Sequence, residues 1–508
     1  MNRILLLLVL LPVALSGCHS MEKNPSPFSR KPANTEELIQ GSQLVLNDLL
    51  NPRVFNASTC ASYAEKIVSY MYSLPADHFI PKNRNELELL KSRGPEVIDT
   101  IFQIRLTLRN RFQEFDNEGS LTRECTERTR QSLNYARFAE EYLLDFLYQQ
   151  KVYVFKKTPI LVSEKPSTWA NPEFENFELK TGDVLLIRGK SYVSAMIAQI
   201  ADQEGNFSHL AIVGEDSKGQ KYIVESLIHL GAIVTPLEKW RQQEDSRVGL
   251  YRHKDQKLAQ KAGRNIYDKV AHGKKSLRYD FAMDDSDYSS LFCSEVIRYA
   301  YDMASGGQLL VPKYRSTVSK FKNTEYPRSL GVTKSTLFAP YDIEVDSRFD
   351  FVAEYRFFPL LRQVRMQDAV LQSVYTWMIE KNYTFEFAPA HSIKAYFAKF
   401  VRQFGIAADT LPTYMPMDSL KTNVQFAAVA TALEKNIYAK EEQFYKENGH
   451  LPSFQDMLAM NDDFRKKDCV LYQEYLKERR ESLGKRDAQP KVRSSFHWFF
   501  SSPKKTCE

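Results

Sequence analysis

The sequence predicts an α+β fold, with a central antiparallel sheet packed by helices and a helical region on either side. Three observations carry this. Segments with apolar residues at helical spacing fill both ends of the chain. Between about 179 and 358, short apolar runs broken by glycines and charged pairs take over, the texture of buried strands. Helical runs are interspersed among those strands, as a packed sheet requires.

At 508 residues, two or three domains are expected. A hydrophobic content of 43% with 26% charged residues is ordinary for globular protein and leaves enough apolar matter for a sizeable core. The net charge of +6 is small for this length. No long basic stripe with interleaved aromatics is found, so nucleic acid is not expected as a partner.

In chain order, "MNRILLLLVLLPVALSGCHS" places Arg3 before an apolar run from Ile4 to Leu15, then small residues and Cys18. That is the layout of a secretory signal, and the run is short for a bilayer span. "LSGC" resembles the lipobox of bacterial lipoproteins. The resemblance implies a signal peptide over 1–17, a lipid on Cys18 and anchorage in the bacterial cell envelope. An ordinary cleaved signal with an incidental cysteine is the alternative. His19 stands where an acid could follow the cysteine, which favours the outer membrane, periplasmic side, in a Gram-negative cell. Residues 18–34, polar with prolines, read as the lipidated tether.

Residues 35–150 read as a helical domain of about three to five helices. Thr35 is a candidate N-cap for "TEELIQGSQLVLNDLL", and "GPEVIDTIFQIRLTLRNRFQEF" and "RQSLNYARFAEEYLLDFLYQQ" are long amphipathic stretches. Their charged faces read as solvated surface, with a partner-binding groove as the alternative. Residues 151–178 read as linker. "GDVLLIRG", "SHLAIVG", "KYIVESL", "GAIVTPL" and "VGLYRH" are then successive strands, with "KSYVSAMIAQIAD" and "DQKLAQKAGRNIYDKVAHG" as helices among them. Residues 359–508 read as a C-terminal helical domain, from "FFPLLRQVRMQDAVLQSVYTWMIEKN" through "SIKAYFAKFVRQFGI" and "DFRKKDCVLYQEYLKERRESLG". The aromatic tail "SSFHWFFSSPKKTCE" is expected to pack on the body, with peripheral membrane contact as the alternative.

The cysteines are Cys18, Cys60, Cys125, Cys293, Cys469 and Cys507. An exported chain can form disulfides, and Cys60 with Cys125 and Cys469 with Cys507 are candidate pairs, although sequence does not set connectivity. Cys293 is left over. It heads "CSEVIRYAY", whose Cys293, Val296, Ile297 and Ala300 share one helix face. Such a residue reads equally as a small core residue or as a nucleophile activated by a helix N-terminus. His209 in "FSHLAIV" and Glu225 in "YIVESL" lie on successive strands. A carboxylate inside an apolar strand needs a partner, and a histidine on the next strand would serve. Together the three residue types make a thiol hydrolase set, with Cys293 as nucleophile, His209 as base and Glu225 orienting the ring.

The order "GDVLL", "SHLAIV", "YIVES", "GAIVTPL" and then "YDFAMDDSDYSSLFCSEVIRYAY" resembles the circularly permuted NlpC-like papain superfamily. It looks most like the YiiX/YaeF branch, related to the lecithin retinol acyltransferase group. By that resemblance the family's histidine falls on His209, its acid on Glu225 and its nucleophile on Cys293. The resemblance spans roughly 175 to 355, and "FAPYDIEVDSRFDFVAEYR" looks like the closing segment of a catalytic domain over 179–358. Where the family often has glycine, this chain has Ala211, which bears on pocket shape. Tyr279, Asp280 and Glu295 are candidate cleft residues, with turn, packing and helix-dipole roles as the alternatives. His229 could join Cys293 and His209 at a zinc ion, but no metal-ligand spacing supports this. Neither a metal nor a cofactor is expected. His253, His272, His391, His450 and His497 read as surface or helix residues.

The expected function is cleavage of an amide bond, in cell-wall peptides or other acyl amides, through a thioester acyl-enzyme. The expected partners are that peptide or acyl-amide substrate, the bacterial membrane through the lipid anchor, and a protein held by the helical flanks. The rivals are a lipid acyl hydrolase or acyltransferase, and a non-catalytic envelope scaffold.

Overall fold

The computed structural model describes residues 28, 32–77, 81–152, 160–163, 178–321, 325–385, 415–482, 495–502 and 507. The signal-like stretch, Cys18, most of the tether and the expected helix at 392–406 lie outside these residues. No helix among the described residues is long and apolar enough to cross a membrane.

The N-terminal region is four helices: α1 (Thr35–Leu50), α2 (Cys60–Asp77), α3 (Arg84–Asn117) and α4 (Arg123–Gln149). Asn34, not Thr35, caps α1, its side chain accepting from the Glu37 N–H. The cap sits one residue earlier because Asn34 is extended while Thr35 is already helical. A disulfide joins Cys60 to Cys125 at the starts of α2 and α4. Helix α3 runs through Gly94 and Pro95. A Cβ on Gly94 would meet the Leu147 side chain at 2.8 Å, so glycine there lets α3 approach α4 closely.

The central sheet has seven strands: β1 (Ile160–Ser163), β2 (Val184–Arg188), β3 (His209–Glu215), β4 (Lys221–Leu227), β5 (Gly231–Pro236), β6 (Arg247–His253) and a long strand Phe349–Phe357. The last is called β9, after two short paired strands, β7 (Ser316–Thr317) and β8 (Thr336–Leu337). The order is β1-β9-β6-β2-β3-β4-β5. All neighbours are antiparallel except β1 with β9. The stretch expected as linker therefore contributes an edge strand, and "FDFVAEYRF" is an inner strand of the sheet.

Helices α5 (Tyr192–Gln199), α6 (Leu237–Trp240), α7 (Gln256–Ala271), α8 (Cys293–Ser305) and α9 (Glu325–Ser329) complete this domain. Ile266, Val296 and Ile297 from α7 and α8 pack with Val184, Leu210, Ile212 and Val224 on one face of the sheet. Leu185, Ala211, Val213, Ile223 and Leu250 point to the other face. The C-terminal region comprises α10 (Phe358–Glu380), α11 (Met417–Asn448) and α12 (Phe454–Ser482). A short strand β10 (Thr384–Phe385) pairs with β11 (Phe500–Ser501) in the aromatic tail. Phe496 and Phe500 are buried, Cys469 is bonded to Cys507, and the described part of the tail packs on the body.

The charged faces of α3 and α4 are solvated only in part, contrary to expectation. Arg105, Arg137, Glu140 and Glu141 are buried against Arg247, Glu354 and Arg356 of β6 and β9. Arg105 grips Glu140 through two 2.7 Å bonds and reaches Glu354 at 2.8 Å. Arg137 donates to Glu354 at 2.6 Å, and Arg247 pairs with Glu141. Buried charges persist only when each has opposite partners at hydrogen-bonding distance. Here those partners sit on strands far along the chain, which a helical pattern cannot reveal. Three histidines are also corrected: His253 lies on β6, and His253, His450 and His497 are all buried. His497 meets the Asp468 carboxylate at 2.7 Å, which offsets the cost of burying its polar ring.

Candidate active site

Strands β3 and β4 pair with Ala211 opposite Glu225. Residues two apart on a strand share a face, so His209 and Glu225 are diagonal neighbours on the same side of the sheet. His209 Nε2 and Glu225 Oε2 are 2.8 Å apart. Glu225 is buried, and its Oε1 has no hydrogen-bond partner.

Cys293 is the first residue of α8, where free backbone N–H groups favour negative charge. The segment before it is fixed from both sides. Ser226, beside Glu225, donates to the Leu291 carbonyl at 2.6 Å, and the Phe292 N–H donates to Glu295 Oε2 at 3.3 Å. Cys293 Sγ lies 4.0 Å from the Ser208 carbonyl oxygen and 3.9 Å from Ser294 Oγ. The His209 ring and the Leu210 N–H lie near enough to act on its charge. With Nε2 engaged by Glu225, Nδ1 is the ring nitrogen left for the thiol.

The electrostatics follow from this placement. Burial alone would raise the Cys293 thiol, but the hydrogen bond and charge of His209, with Leu210 N–H and Ser294, bring it below its ordinary value. Burial alone would lower the His209 ring, but hydrogen bonds to Cys293 and Glu225 outweigh it and push it up to about 10. Both shifts favour a thiolate–imidazolium pair.

The approach to His209 is held by the N-terminal helices. Arg137 of α4 donates to Asn206 Oδ1 at 2.7 Å and stacks over Phe207 at 4.7 Å, and Arg247 donates to the Asn206 carbonyl. The buried ion cluster thus pins the residues leading into β3.

The three side chains line a cavity of about 380 Å³, within the range of small-molecule sites. Tyr279 lines it; Asp280 and Glu295 do not. Asp280 accepts from the Ala282 and Asp284 N–H groups and shapes a turn. Glu295 is fully buried, with its carboxyl pushed up to about 9 by burial and nearby acids, and caps α8. Those two are corrections to the expected cleft. His229 lines the cavity, and no metal-binding group of three or more His, Cys, Asp or Glu occurs among the described residues.

Sequence reasoning missed two sets of cavity residues. Asp245, half-buried, is pushed up to about 7 by burial and by the charge of Glu225; it precedes β6 in an ordinary polar loop. Met415, Ser419 and Asn423 come from the start of α11 and the residues just before it, with no motif to mark them.

Residues 178–327 match the permuted papain-like amidase family of YaeF and YiiX, family C92. The matched residues lie within the central domain. No curated protein and no solved structure matches the chain. In this domain His209 and Glu225 precede Cys293 in sequence. Ala211 is buried in the core cluster on its face of the sheet. The match ends at 327, so Met415, Ser419 and Asn423 lie beyond it.

Proposed function

We propose that this papain-like cysteine hydrolase cleaves an amide-linked acyl group, with Cys293 as nucleophile, His209 as acid and base, and Glu225 as the orienting carboxylate. The supporting observation is the 2.8 Å Glu225–His209 pair lining one cavity with a thiol at a helix N-terminus, whose ionisation the His209 ring favours. The Cys293 thiolate attacks the carbonyl carbon, forming a C–S bond and placing the electron pair on oxygen. Collapse expels the amine, which takes the proton of the His209 imidazolium. Water then gives a proton to His209 as its oxygen attacks the thioester, releasing the carboxylic acid and regenerating the thiolate–imidazolium pair. Glu225 keeps Nδ1 aimed at the thiol and stabilises the charged ring. Backbone N–H groups at the start of α8 are the candidate oxyanion donors.

Iodoacetamide should label Cys293 faster than a buried core thiol, and His209→Ala should slow labelling at neutral pH. Equal slow labelling of both proteins would sink the catalytic assignment. Mass analysis of products from acyl amides, cell-wall fragments and phospholipids would then separate an amidase from a lipid acyl hydrolase.

We also propose envelope anchorage through a lipid on Cys18. The signal-like stretch supports export, and two disulfides fit an oxidising compartment. Labelled palmitate should enter the wild-type chain and not Cys18→Ser; incorporation into both would reject it.

A further inference from the structure

The cavity beside Cys293 is built by two regions of the chain. One wall comes from the amidase domain, with Val193, Met196 and Ile197 on α5 and Phe281 and Met283 in the loop before α8. The other comes from the C-terminal region, through Met415 and the first turns of α11. That second wall is seated on a shared core: Phe426, Val429 and Leu433 of α11 pack with Met196 of α5 and Val370 and Val374 of α10.

The chemistry of the lining is selective. No lysine or arginine is among its described residues, whereas Glu225 and Asp245 are. An anionic substrate group would meet two acids and, away from the His209 ring, no cationic side chain. Asp245 lines the cavity with Glu225 and His209 and feels the charges of both. The apolar walls remain for the acyl group that stays on the enzyme as the thioester.

Within those apolar walls two polar atoms are unmatched. Ser419 is 2% exposed, and its Oγ is buried without a hydrogen-bond partner. Asn423 Oδ1 is likewise buried and unpartnered. Four residues apart on one helix, the two share a face, and both line the cavity. Native proteins rarely leave such atoms unpaired, because an unmet buried group loses its water without regaining a hydrogen bond. A ligand hydroxyl answers both: it accepts from Ser419 Oγ–H and donates to Asn423 Oδ1.

We propose that the cavity is an acyl pocket completed by α11, taking an uncharged aliphatic acyl chain whose hydroxyl group is read by Ser419 and Asn423. The proposal rests on the amidase reading above and names its substrate class: hydroxyacyl amides. Specificity then resides in a helix outside the region that matches the amidase family.

The test uses the full chain and para-nitroanilides of decanoic acid, of hydroxydecanoic acids with the hydroxyl moved along the chain, and of succinic acid as an anionic control. One hydroxyl position should exceed decanoyl in kcat/KM by about threefold to tenfold, the worth of one buried hydrogen bond. Succinyl should be the poorest substrate. Ser419→Ala should bring the hydroxydecanoyl-to-decanoyl ratio near one, and Ser419→Thr should restore it. Absence of any preferred position, retention of the preference in Ser419→Ala, or a preference for succinyl would overturn the proposal. A second readout is independent of turnover: the primary amides of the same acids should protect Cys293 from iodoacetamide with the same ranking. Protection in that ranking without hydrolysis would keep the pocket and reject the amidase reading. Hydrolysis without chain preference would do the reverse.

Discussion

Glu225 Oε2 lies 2.8 Å from His209 Nε2 across the β3–β4 pair, while its second oxygen is buried and unpaired. A carboxylate in that position costs desolvation that a single hydrogen bond does not fully return. What it provides is a charge fixed behind the ring, so that Nδ1 faces Cys293 in the ionised state. The strand register produces this directly: Ala211 opposite Glu225 makes His209 the diagonal neighbour, whereas a one-residue slip would turn the acid to the opposite face of the sheet.

Glu225→Gln keeps the shape and removes the charge. It should lower kcat/KM on an acyl anilide by about 100-fold, within the span that acid–base positioning contributes. Circular dichroism should show an unchanged fold. Activity within about twofold of wild type would remove Glu225 from the mechanism.

The pH profile should be bell-shaped. The rising limb follows Cys293, whose thiol lies below its ordinary value because of His209. The falling limb follows His209, which is raised to about 10 by Cys293 and Glu225 despite its burial. Turnover needs thiolate and imidazolium together, so it should be lost as pH rises through that upper limb. Since Glu225 helps raise the ring, Glu225→Gln should move the falling limb to lower pH. A profile that keeps rising past pH 10 would contradict the assignment of the acid.

The buried ion cluster offers a stability test. Glu354 faces Arg105, Arg137 and Arg356 at once. Burial alone would raise its carboxyl, but those three guanidinium groups hold it well below the usual range. Glu354→Gln leaves buried cations uncompensated and should cost about 3–5 kcal/mol, read as a large fall in thermal midpoint. Because Arg137 also holds Asn206, the substitution should reduce Cys293 labelling as well. An unchanged midpoint would show that the N-terminal helices are not locked to the sheet in this way.

Much was legible in the linear chain because it depends on local pattern. Alternating apolar runs marked the strands, 3.6-residue spacing marked most of the helices, and the His209, Glu225 and Cys293 segments had the order of a permuted papain-like domain. Arg105, Arg137, Glu140 and Glu141 read as a wet surface, since apart from the Arg105–Glu140 pair their partners lie about a hundred to two hundred and fifty residues away and pair only when the sheet folds against them. Asp280 and Glu295 looked like cleft residues from their place beside the nucleophile, but the chain turns both away, into a turn and a helix cap.

By itself the sequence determined the α+β class and the residue types that could do thiol chemistry, because hydrophobic period and reactive side chains are properties of short segments. Only the tertiary structure decided that Glu225 meets His209, that α3 and α4 pin the loop before it, and that Ser419 and Asn423 of α11 line the cavity. Strand register, the pairing of buried charges and the closing of a cavity are set by segments distant in the chain, and come into existence only when those segments pack.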